Sequence, residues 1–187
     1  MFINRKRNVY SMLTSLERER LLEFVLDNPT AEIKVRELAR RLNLSPAYVS
    51  KTLKVLRDKG VVKNNRVDLN APLVKALKIF FNVKKLVDEG IITKINSLNV
   101  ISAGVYGSWA NGTNYEDSDL DIWIKVEKHP GEVKIASFVG AIRKSVGTNV
   151  QMLVLTPDNV ERLKKEDPTF YYSLAFGSIV ICGETIE

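Results

Sequence analysis

The spacing of hydrophobic residues predicts three helices in the first third of the chain. Apolar residues recur every three or four positions between Leu16 and Leu26 and again between Val35 and Leu42, with charged residues between them, as expected for amphipathic helices. Ser45 and Pro46 then mark the start of a third helix, because serine is a favoured N-cap and proline is favoured in the first helical turn. Gly60 follows the last apolar position and suits the left-handed residue that ends many helices.

Two short segments that flank Asn64–Asn65 predict a hairpin directly after the third helix. Two helices, a tight turn at Asn43–Leu44, a third helix and a hairpin together resemble the winged helix-turn-helix domain of many bacterial and archaeal regulators. The resemblance covers roughly Met12–Asn70, and is carried by Val35-Arg36-Glu37-Leu38-Ala39, Leu44-Ser45-Pro46-Ala47-Tyr48-Val49-Ser50 and Leu53-Lys54-Val55-Leu56-Arg57-Asp58-Lys59-Gly60-Val61-Val62. It implies an N-terminal domain of the α+β class.

The third helix would be the recognition helix of such a domain. If Val49, Leu53 and Leu56 face the core, helical geometry turns the opposite side outward, toward DNA. The candidate DNA contacts are Ala47, Tyr48, Ser50, Lys51 and Lys54 on the helix, with Arg66 on the hairpin. Arg40 and Arg41 are candidates for phosphate contacts, and Arg5-Lys6-Arg7 is either a basic arm or a frayed terminus. The alternative is a winged helix that contacts protein.

A long amphipathic segment, Ala71–Glu89, predicts a helix that connects this domain to the rest of the chain. The adjacent Phe80 and Phe81 are interpreted as a packing seam between domains or between subunits. We place the domain boundary at the end of this helix, which gives domains of residues 1–88 and 89–187. Because winged helices usually bind two-fold DNA sites as dimers, the helix is also a candidate contact in a homodimer.

Two carboxylates project from one face of a predicted strand in the second half of the chain. The apolar segment Val100–Tyr106 runs into Gly107 and Ser108, and Asp119 comes eleven residues after Ser108. From there the pattern alternates, so that one side holds Leu120, Ile122, Ile124 and Val126 and the other holds Asp119, Asp121, Trp123 and Lys125. Neighbouring carboxylates repel each other unless a cation or water screens them, and such oxygen ligands suit Mg²⁺ or Mn²⁺.

The same residues resemble the signature of the nucleotidyltransferase superfamily. Gly107-Ser108-Trp109-Ala110-Asn111-Gly112, continued by Ser118-Asp119-Leu120-Asp121-Ile122-Trp123-Ile124, is similar to the small prokaryotic minimal nucleotidyltransferase domains, which are related to DNA polymerase beta and kanamycin nucleotidyltransferase. The similarity covers roughly 91–183 and includes Phe170-Tyr171-Tyr172-Ser173 and a final strand. It implies a mixed sheet with flanking helices, NTP binding at Gly107 and Ser108, and Mg²⁺ or Mn²⁺ at the catalytic pair Asp119 and Asp121.

The third carboxylate that normally completes such a site is missing. The later strand has Gln151 at about the position where the family places an acidic residue, and no Asp or Glu lies between Glu132 and Asp158. An amide oxygen is a weaker ligand than a carboxylate, and it cannot serve as a base. Gln151 in place of a carboxylate therefore affects the activation of the attacking hydroxyl. It is compatible with the binding of a metal–nucleotide complex.

Charge divides the chain into a basic and an acidic half. Residues 1–90 hold 19 Lys/Arg against 10 Asp/Glu, a net charge of +9, and residues 91–187 hold 9 against 12, a net charge of −3. The basic half suits a polyanion and the acidic half a metal ion or metal-bound anion, unless the basic charges only solvate helix faces. One cysteine and one histidine exclude a disulfide scaffold and a multi-Cys/His zinc site. With no membrane-length apolar run and no apolar segment behind the basic start, we expect a cytoplasmic protein without a membrane partner.

The remaining polar and aromatic candidates are interpreted mainly as structural. Trp109 and Trp123 either stack a base or, more simply, are partly buried. Glu116 and Asp117 precede the carboxylate pair and are either solvated or part of the metal shell. His129 belongs to a turn, and Cys182 lies in an apolar strand and is expected in the core.

The sequence therefore predicts two domains of the α+β class, an N-terminal winged helix-turn-helix and a C-terminal nucleotidyltransferase-like mixed sheet. The leading hypothesis is a metal-dependent nucleotidyltransferase, tethered to DNA, that transfers a nucleoside monophosphate from an NTP to an unknown acceptor hydroxyl on nucleic acid or a separate partner protein. The alternative is a DNA-binding transcriptional regulator whose impaired nucleotidyltransferase domain senses nucleotide or mediates assembly. The Gly-Ser and Asp-x-Asp motifs favour the first hypothesis, and the basic half and Gln151 favour the second.

Overall fold

The computed structural model describes residues 15–187, so the predicted arm Arg5-Lys6-Arg7 lies outside the described residues. The chain divides into two compact units, Met1–Val74 and Lys75–Glu187. This division falls near the start of the connecting helix, whereas the sequence analysis places the boundary at its end. The reason is that the later part of the helix packs with the second unit: Leu86 belongs to the core of that unit.

Three helices and a hairpin form the first unit. In chain order they are α1 (Leu16–Asp27), α2 (Val35–Leu42), α3 (Pro46–Asp58), β1 (Val62–Lys63) and β2 (Arg66–Val67). Ser15 and Ser45 cap α1 and α3, because each side chain accepts a hydrogen bond from the backbone N–H three residues later. Leu16, which the sequence analysis counts in the apolar repeat, is 72% exposed, since it lies about half a turn around α1 from the buried Val25.

The wing of this unit is a hairpin with a two-residue turn, as the sequence predicts. Val62 pairs with Val67 and Lys63 pairs with Arg66, so that Asn64 and Asn65 alone form the connection. Both asparagines adopt positive φ, 50° and 55°. This is the conformation that tight hairpin turns require and that asparagine tolerates better than most residues.

The second unit is a four-stranded mixed sheet covered by helices, which confirms the predicted α+β class. Its elements are α4 (Pro72–Asp88, beginning three residues before the unit), α5 (Ile91–Asn96), β3 (Ser102–Tyr106), α6 (Gly107–Asn111), β4 (Leu120–Lys125), α7 (Glu132–Val146), β5 (Val150–Leu155), α8 (Pro157–Glu166), α9 (Pro168–Gly177) and β6 (Ile179–Cys182). The strand order is β5-β4-β3-β6, and β4 and β5 are parallel whereas the other pairs are antiparallel. None of the helices between residues 15 and 187 has both the length and the apolar character needed to cross a membrane.

The predicted alternation along β4 separates two hydrophobic cores. Leu120, Ile122 and Ile124 pack on one face of the sheet with residues of α5, α6 and α7. Trp123 packs on the other face with residues of α8 and α9. Trp123 is fully buried and Trp109 is 5% exposed, which agrees with the structural interpretation of both tryptophans and leaves neither ring free to stack on a base.

Cys182 is less buried than the sequence predicts. It lies on β6, an edge strand of the sheet, and is only partly covered. Its thiol lies 2.9 Å from the side-chain oxygen of Asn96 on α5, to which it donates a hydrogen bond. An edge position explains the difference, because an apolar strand sequence does not show whether neighbours cover both of its sides.

We expect Gly104→Ala to lower the free energy of unfolding by about 1–3 kcal/mol, the usual cost of overpacking. A Cβ at Gly104 would lie 2.6 Å from the ring of Trp123, and this ring is held by a 2.9 Å hydrogen bond from its Nε1 to the Ser178 hydroxyl. The matched control is Gly140→Ala inside α7, where the added Cβ meets open space and should raise the unfolding free energy by about 0.5–1 kcal/mol. Urea denaturation measures the free energy of unfolding of both variants. Changes of the same sign would show that the Cβ at Gly104 is not overpacked against Trp123.

Candidate functional site

Three neighbouring strands, β3, β4 and β5, bring the predicted catalytic residues together at one end of these strands. Tyr106, the last residue of β3, pairs with Asp121 of β4, and Asp121 pairs in turn with Gln151 of β5. Gly107 follows Tyr106 directly, and Asp119 immediately precedes β4. Gly107, Ser108, Asp119 and Asp121 are all partly exposed, so the site opens to solvent.

Gly107 brings the glycine-serine motif into close contact with the Asp121 carboxylate. Its φ is +68°, a left-handed conformation that favours glycine, and a Cβ there would lie 2.5 Å from Oδ2 of Asp121. The residue also begins α6, so the backbone N–H groups of the first helical turn, including that of Ser108, lack intrahelical partners. Such a helix start beside a carboxylate can receive an anion together with its counter-cation.

We expect Gly107→Ala to weaken NTP binding about tenfold or more, because the added Cβ displaces the Asp121 carboxylate. Gly90→Ala is the matched control, since Gly90 has nearly the same φ, +64°, but faces open space. Both variants carry the cost of a left-handed alanine, about 1 kcal/mol of stability, so any difference in NTP binding isolates the contact with Asp121. Isothermal titration calorimetry provides the comparison, and equal affinities of the two variants would exclude this role for Gly107.

An amide stands where a third carboxylate would complete the site. Gln151 lies opposite Asp121 in the parallel ladder, and its Nε2 donates a 2.7 Å hydrogen bond to Oδ2 of Asp119. The amide thus occupies one carboxylate oxygen and offers no group that could accept a proton from an attacking hydroxyl.

The electrostatics of the site fit a hard divalent cation. Burial, with a further contribution from the charge of Asp119, raises the pKa of Asp121 above its usual range. The pKa of Tyr106 is raised as well, by burial and then by the charge of Asp121. A cation bound by Asp119 and Asp121 would offset the negative charge and so lower the pKa of both Asp121 and Tyr106.

The protein supplies few ligands for such an ion. No cluster of three or more His, Cys, Asp or Glu side chains suited to a metal occurs in the described part of the chain. Asp119 and Asp121 therefore fit a Mg²⁺ or Mn²⁺ whose other ligands are phosphate oxygens and water, which is the usual environment of Mg²⁺ at nucleotide sites.

Two buried asparagines that the sequence analysis misses hold the start of the site in place. Asn82 of α4 donates from Nδ2 to the backbone oxygen of Trp109 at 2.8 Å and to the side-chain oxygen of Asn114 at 3.0 Å. Both asparagines are 6% exposed, so these bonds are formed away from water and fix α6 and the segment after it. A polar residue among the apolar positions of α4 is the sequence signal that could have identified Asn82.

The other polar candidates lie in a loop and a turn, and no hydrogen bond joins them to the carboxylate pair among the described contacts. Glu116 and Asp117 are exposed and line a polar cleft of about 610 Å³ together with Arg143 and Lys144 of α7. Asp119 and Asp121 are not among the residues that line this cleft. His129 accepts a 3.0 Å hydrogen bond from the backbone N–H of Gly131, which agrees with its predicted place in a turn.

On the first unit, most predicted DNA contacts are exposed on α3 and on the wing. These are Ala47, Ser50, Lys51, Lys54 and Arg66, and Arg40 and Arg41 of α2 are exposed as well. Tyr48 is half-buried and its hydroxyl lies 3.2 Å from the hydroxyl of Ser15, so it helps to hold α1 against α3. Thr52 is buried, because it lies three residues after Val49 and therefore on the inward side of α3.

A basic residue that the sequence analysis did not select joins the wing to α3. Nη2 of Arg57 donates a 3.0 Å hydrogen bond to Oδ1 of Asn65, and the backbone oxygen of Asn65 accepts a second bond from Ile33. The turn of the wing is therefore fixed from two sides.

Comparison with protein families matches each unit to a different model. The MarR family matches residues 19–68, which span most of α1 through β2, and the nucleotidyltransferase domain matches residues 89–181, which span α5 through most of β6. No curated protein is significantly similar to the chain. Both resemblances found in the sequence are confirmed: the protein is a fusion of a MarR-family winged-helix domain with a nucleotidyltransferase domain.

Proposed function

We propose that the protein is a metal-dependent nucleotidyltransferase that its winged helix places on DNA. The observation that carries the nucleotide part of this proposal is the close approach of Gly107 to Asp121, where a left-handed glycine opens α6 beside two carboxylates. This arrangement supports the binding of a triphosphate and a cation at one place. The exposed lysines of α3 support the DNA-binding part.

Each residue has a distinct part in the proposed transfer. Backbone N–H groups at Gly107 and Ser108 would bind the phosphates, and Asp119 and Asp121 would hold Mg²⁺ or Mn²⁺, which neutralises phosphate charge. The acceptor oxygen forms a bond to the α-phosphorus while the bond to the bridging oxygen breaks, and pyrophosphate leaves. Because Gln151 cannot take the proton of the acceptor hydroxyl, that proton passes to water.

The test is a nucleotide titration followed by a transfer assay. Each NTP is titrated into the protein by calorimetry with Mg²⁺, with Mn²⁺ and with chelator. The protein is then incubated with α-labelled NTP and with duplex DNA, RNA ends or itself as acceptor. We expect cation-dependent binding and covalent label on one acceptor; absence of any binding would refute the proposal.

A second candidate function is a DNA-binding regulator that binds nucleotide without transferring it. The hydrogen bond from Gln151 to Asp119 favours it, because the position of a general base is occupied by a neutral donor. This function predicts cation-dependent NTP binding, no transfer of label to any acceptor, and an affinity for DNA that changes when the NTP is added. The same two assays, with a DNA-binding measurement, therefore separate the two functions.

We expect the double variant Lys51→Ala/Lys54→Ala to weaken DNA binding and to reduce the slope of log K against log salt by about 2, if each lysine neutralises one phosphate. Both side chains are exposed on α3. The control is Lys134→Ala/Lys144→Ala, which removes two exposed lysines from α7 in the other unit and should leave the slope unchanged. Fluorescence anisotropy with duplex DNA at several salt concentrations measures both. An unchanged slope in the α3 variant would favour a winged helix that contacts protein.

A further inference from the structure

Tyr106 is an aromatic residue that borders the carboxylate pair. It pairs with Asp121 across the antiparallel ladder, so the two side chains project from the same face of the sheet with their Cβ atoms about 5 Å apart. Tyr106 remains partly exposed, whereas Trp109 is 5% exposed and Trp123 is fully buried. The ring of Tyr106 can therefore meet a ligand at the site, which the two tryptophans cannot.

Phe170 extends the apolar surface that Tyr106 presents. The two ring centroids lie 6.1 Å apart with an interplanar angle of 68°, and both residues pack against the core that contains Trp123 while staying partly exposed. Phe170 lies in the first turn of α9, where its backbone N–H donates a 2.9 Å hydrogen bond to the capping side chain of Asp167. Because the core and the cap hold them in place, the rings form a preformed apolar surface. We call Tyr106 and Phe170 the aromatic pair.

The aromatic pair lies on the side of Asp121 where the NTP is expected. Asp121 pairs with Tyr106 on β3 and with Gln151 on β5, so it has an aromatic neighbour on one side and an amide on the other. Gly107, which would bind the phosphates, directly follows Tyr106. Gln151 instead stands at the position that would serve the acceptor hydroxyl. A substrate group that meets Tyr106 therefore belongs to the NTP and not to the acceptor.

We propose that the aromatic pair is the nucleoside subsite of the NTP site, where the nucleobase packs on the accessible part of the two rings. This inference rests on the proposed binding of an NTP at Gly107 and the two carboxylates. Every nucleobase has a π face that can stack on an aromatic side chain, and such a contact typically strengthens binding about tenfold or more. The subsite would thus add affinity for the nucleoside to the affinity that the cation and the backbone N–H groups supply for the phosphates.

The competing account is that both rings serve only the core. It predicts that removing the rings changes the stability of the protein and affects every ligand of the site alike. The two accounts differ in one measurable ratio, the affinity for ATP divided by the affinity for inorganic tripolyphosphate, because tripolyphosphate carries three phosphates and no nucleoside.

The test is a calorimetric titration of ATP and of tripolyphosphate into the full chain at fixed Mg²⁺. In Tyr106→Leu/Phe170→Leu we expect the ratio to fall about tenfold or more, with the affinity for tripolyphosphate unchanged, because leucine is apolar but has no ring to stack on a base. The matched control is Tyr172→Leu, which removes a different ring of α9, one that packs on Tyr171 and Phe176. This control should keep the ratio of the natural protein.

Two results would overturn the inference and leave the proposed function intact. They are a double variant that keeps the natural ratio, and a Tyr172→Leu variant that lowers the ratio as strongly as the double variant does. If the natural protein binds neither ATP nor tripolyphosphate, the proposed function fails and the inference fails with it. If circular dichroism shows that the double variant is unfolded, the single variants Tyr106→Leu and Phe170→Leu decide by the same ratio.

Discussion

Asp119→Asn and Asp121→Asn are each expected to weaken Mg²⁺-dependent NTP binding at least about 100-fold. Each change replaces a charged oxygen ligand of the cation by a neutral amide. The attraction between a bound cation and the phosphates contributes several kcal/mol to binding, so a weakly held cation lowers the affinity for NTP. The folded protein should tolerate both changes, because removing one carboxylate relieves the repulsion from Asp119 that adds to burial in raising the pKa of Asp121. Calorimetric titration of NTP at fixed Mg²⁺ gives the affinities, and thermal melting without ligand verifies the fold.

The control for these variants is Asp117→Asn, which neutralises an exposed carboxylate two residues before Asp119. It should bind NTP like the natural protein, since Asp117 is exposed and lines a cleft whose lining includes neither Asp119 nor Asp121. The pH dependence adds a second check. Because the pKa of Asp121 is raised by burial and by Asp119, protons should displace the cation at a higher pH than they would for an ordinary aspartate. Binding that survives in both Asn variants would show that the nucleotide site lies elsewhere.

Gln151→Glu is expected to increase the rate of nucleotidyl transfer by a factor of about 100 or more, the usual contribution of a positioned general base. The new carboxylate would stand opposite Asp121 and beside Asp119, where the amide now lies. There it could accept the proton of the attacking hydroxyl, and it would also add a charged ligand for the cation. The transfer assay with α-labelled NTP measures the change.

Gln151→Ala distinguishes this gain from the mere loss of the amide. Removing the hydrogen bond to Asp119 without adding a base should leave the transfer rate within a few fold of that of the natural protein. If Gln151→Glu transfers no faster than Gln151→Ala, the position does not serve the acceptor hydroxyl. The regulator would then be the better account, because a restored carboxylate would have no reaction to assist.

Much of the fold can be read from local sequence rules, because the capping residues and the apolar repeats agree with each other. Ser45-Pro46 marks the start of α3, and Asn64–Asn65 forms the turn of the wing. The alternation along β4 correctly separates Trp123 from Ile122 and Ile124. The expectation that Gly107 and the two aspartates meet came from the resemblance of their motif. In the structure β3 and β4 are antiparallel neighbours, which brings Gly107 to Asp121.

The features that escape the sequence depend on contacts between distant elements. The sequence does not predict α7, because small residues and Gly140 weaken its helical pattern. Asn82 is an ordinary polar residue until α4 packs beside Trp109 and Asn114. Tyr48 is a plausible DNA contact from its position on α3, but α1 reaches it through Ser15. For Asn82 and Tyr48 the deciding neighbour lies more than 25 residues away along the chain.

The parallel pairing of β4 and β5 also determines when the candidate site can be completed during synthesis. Parallel neighbours cannot be joined by a tight turn, so the chain must first complete α7 and return before Gln151 reaches Asp119. Domains fold in order from the N-terminus as they leave the ribosome. A nascent chain that has just extended past β4 therefore holds the whole winged helix and both carboxylates but lacks β5, so the first unit can fold before the candidate site is complete.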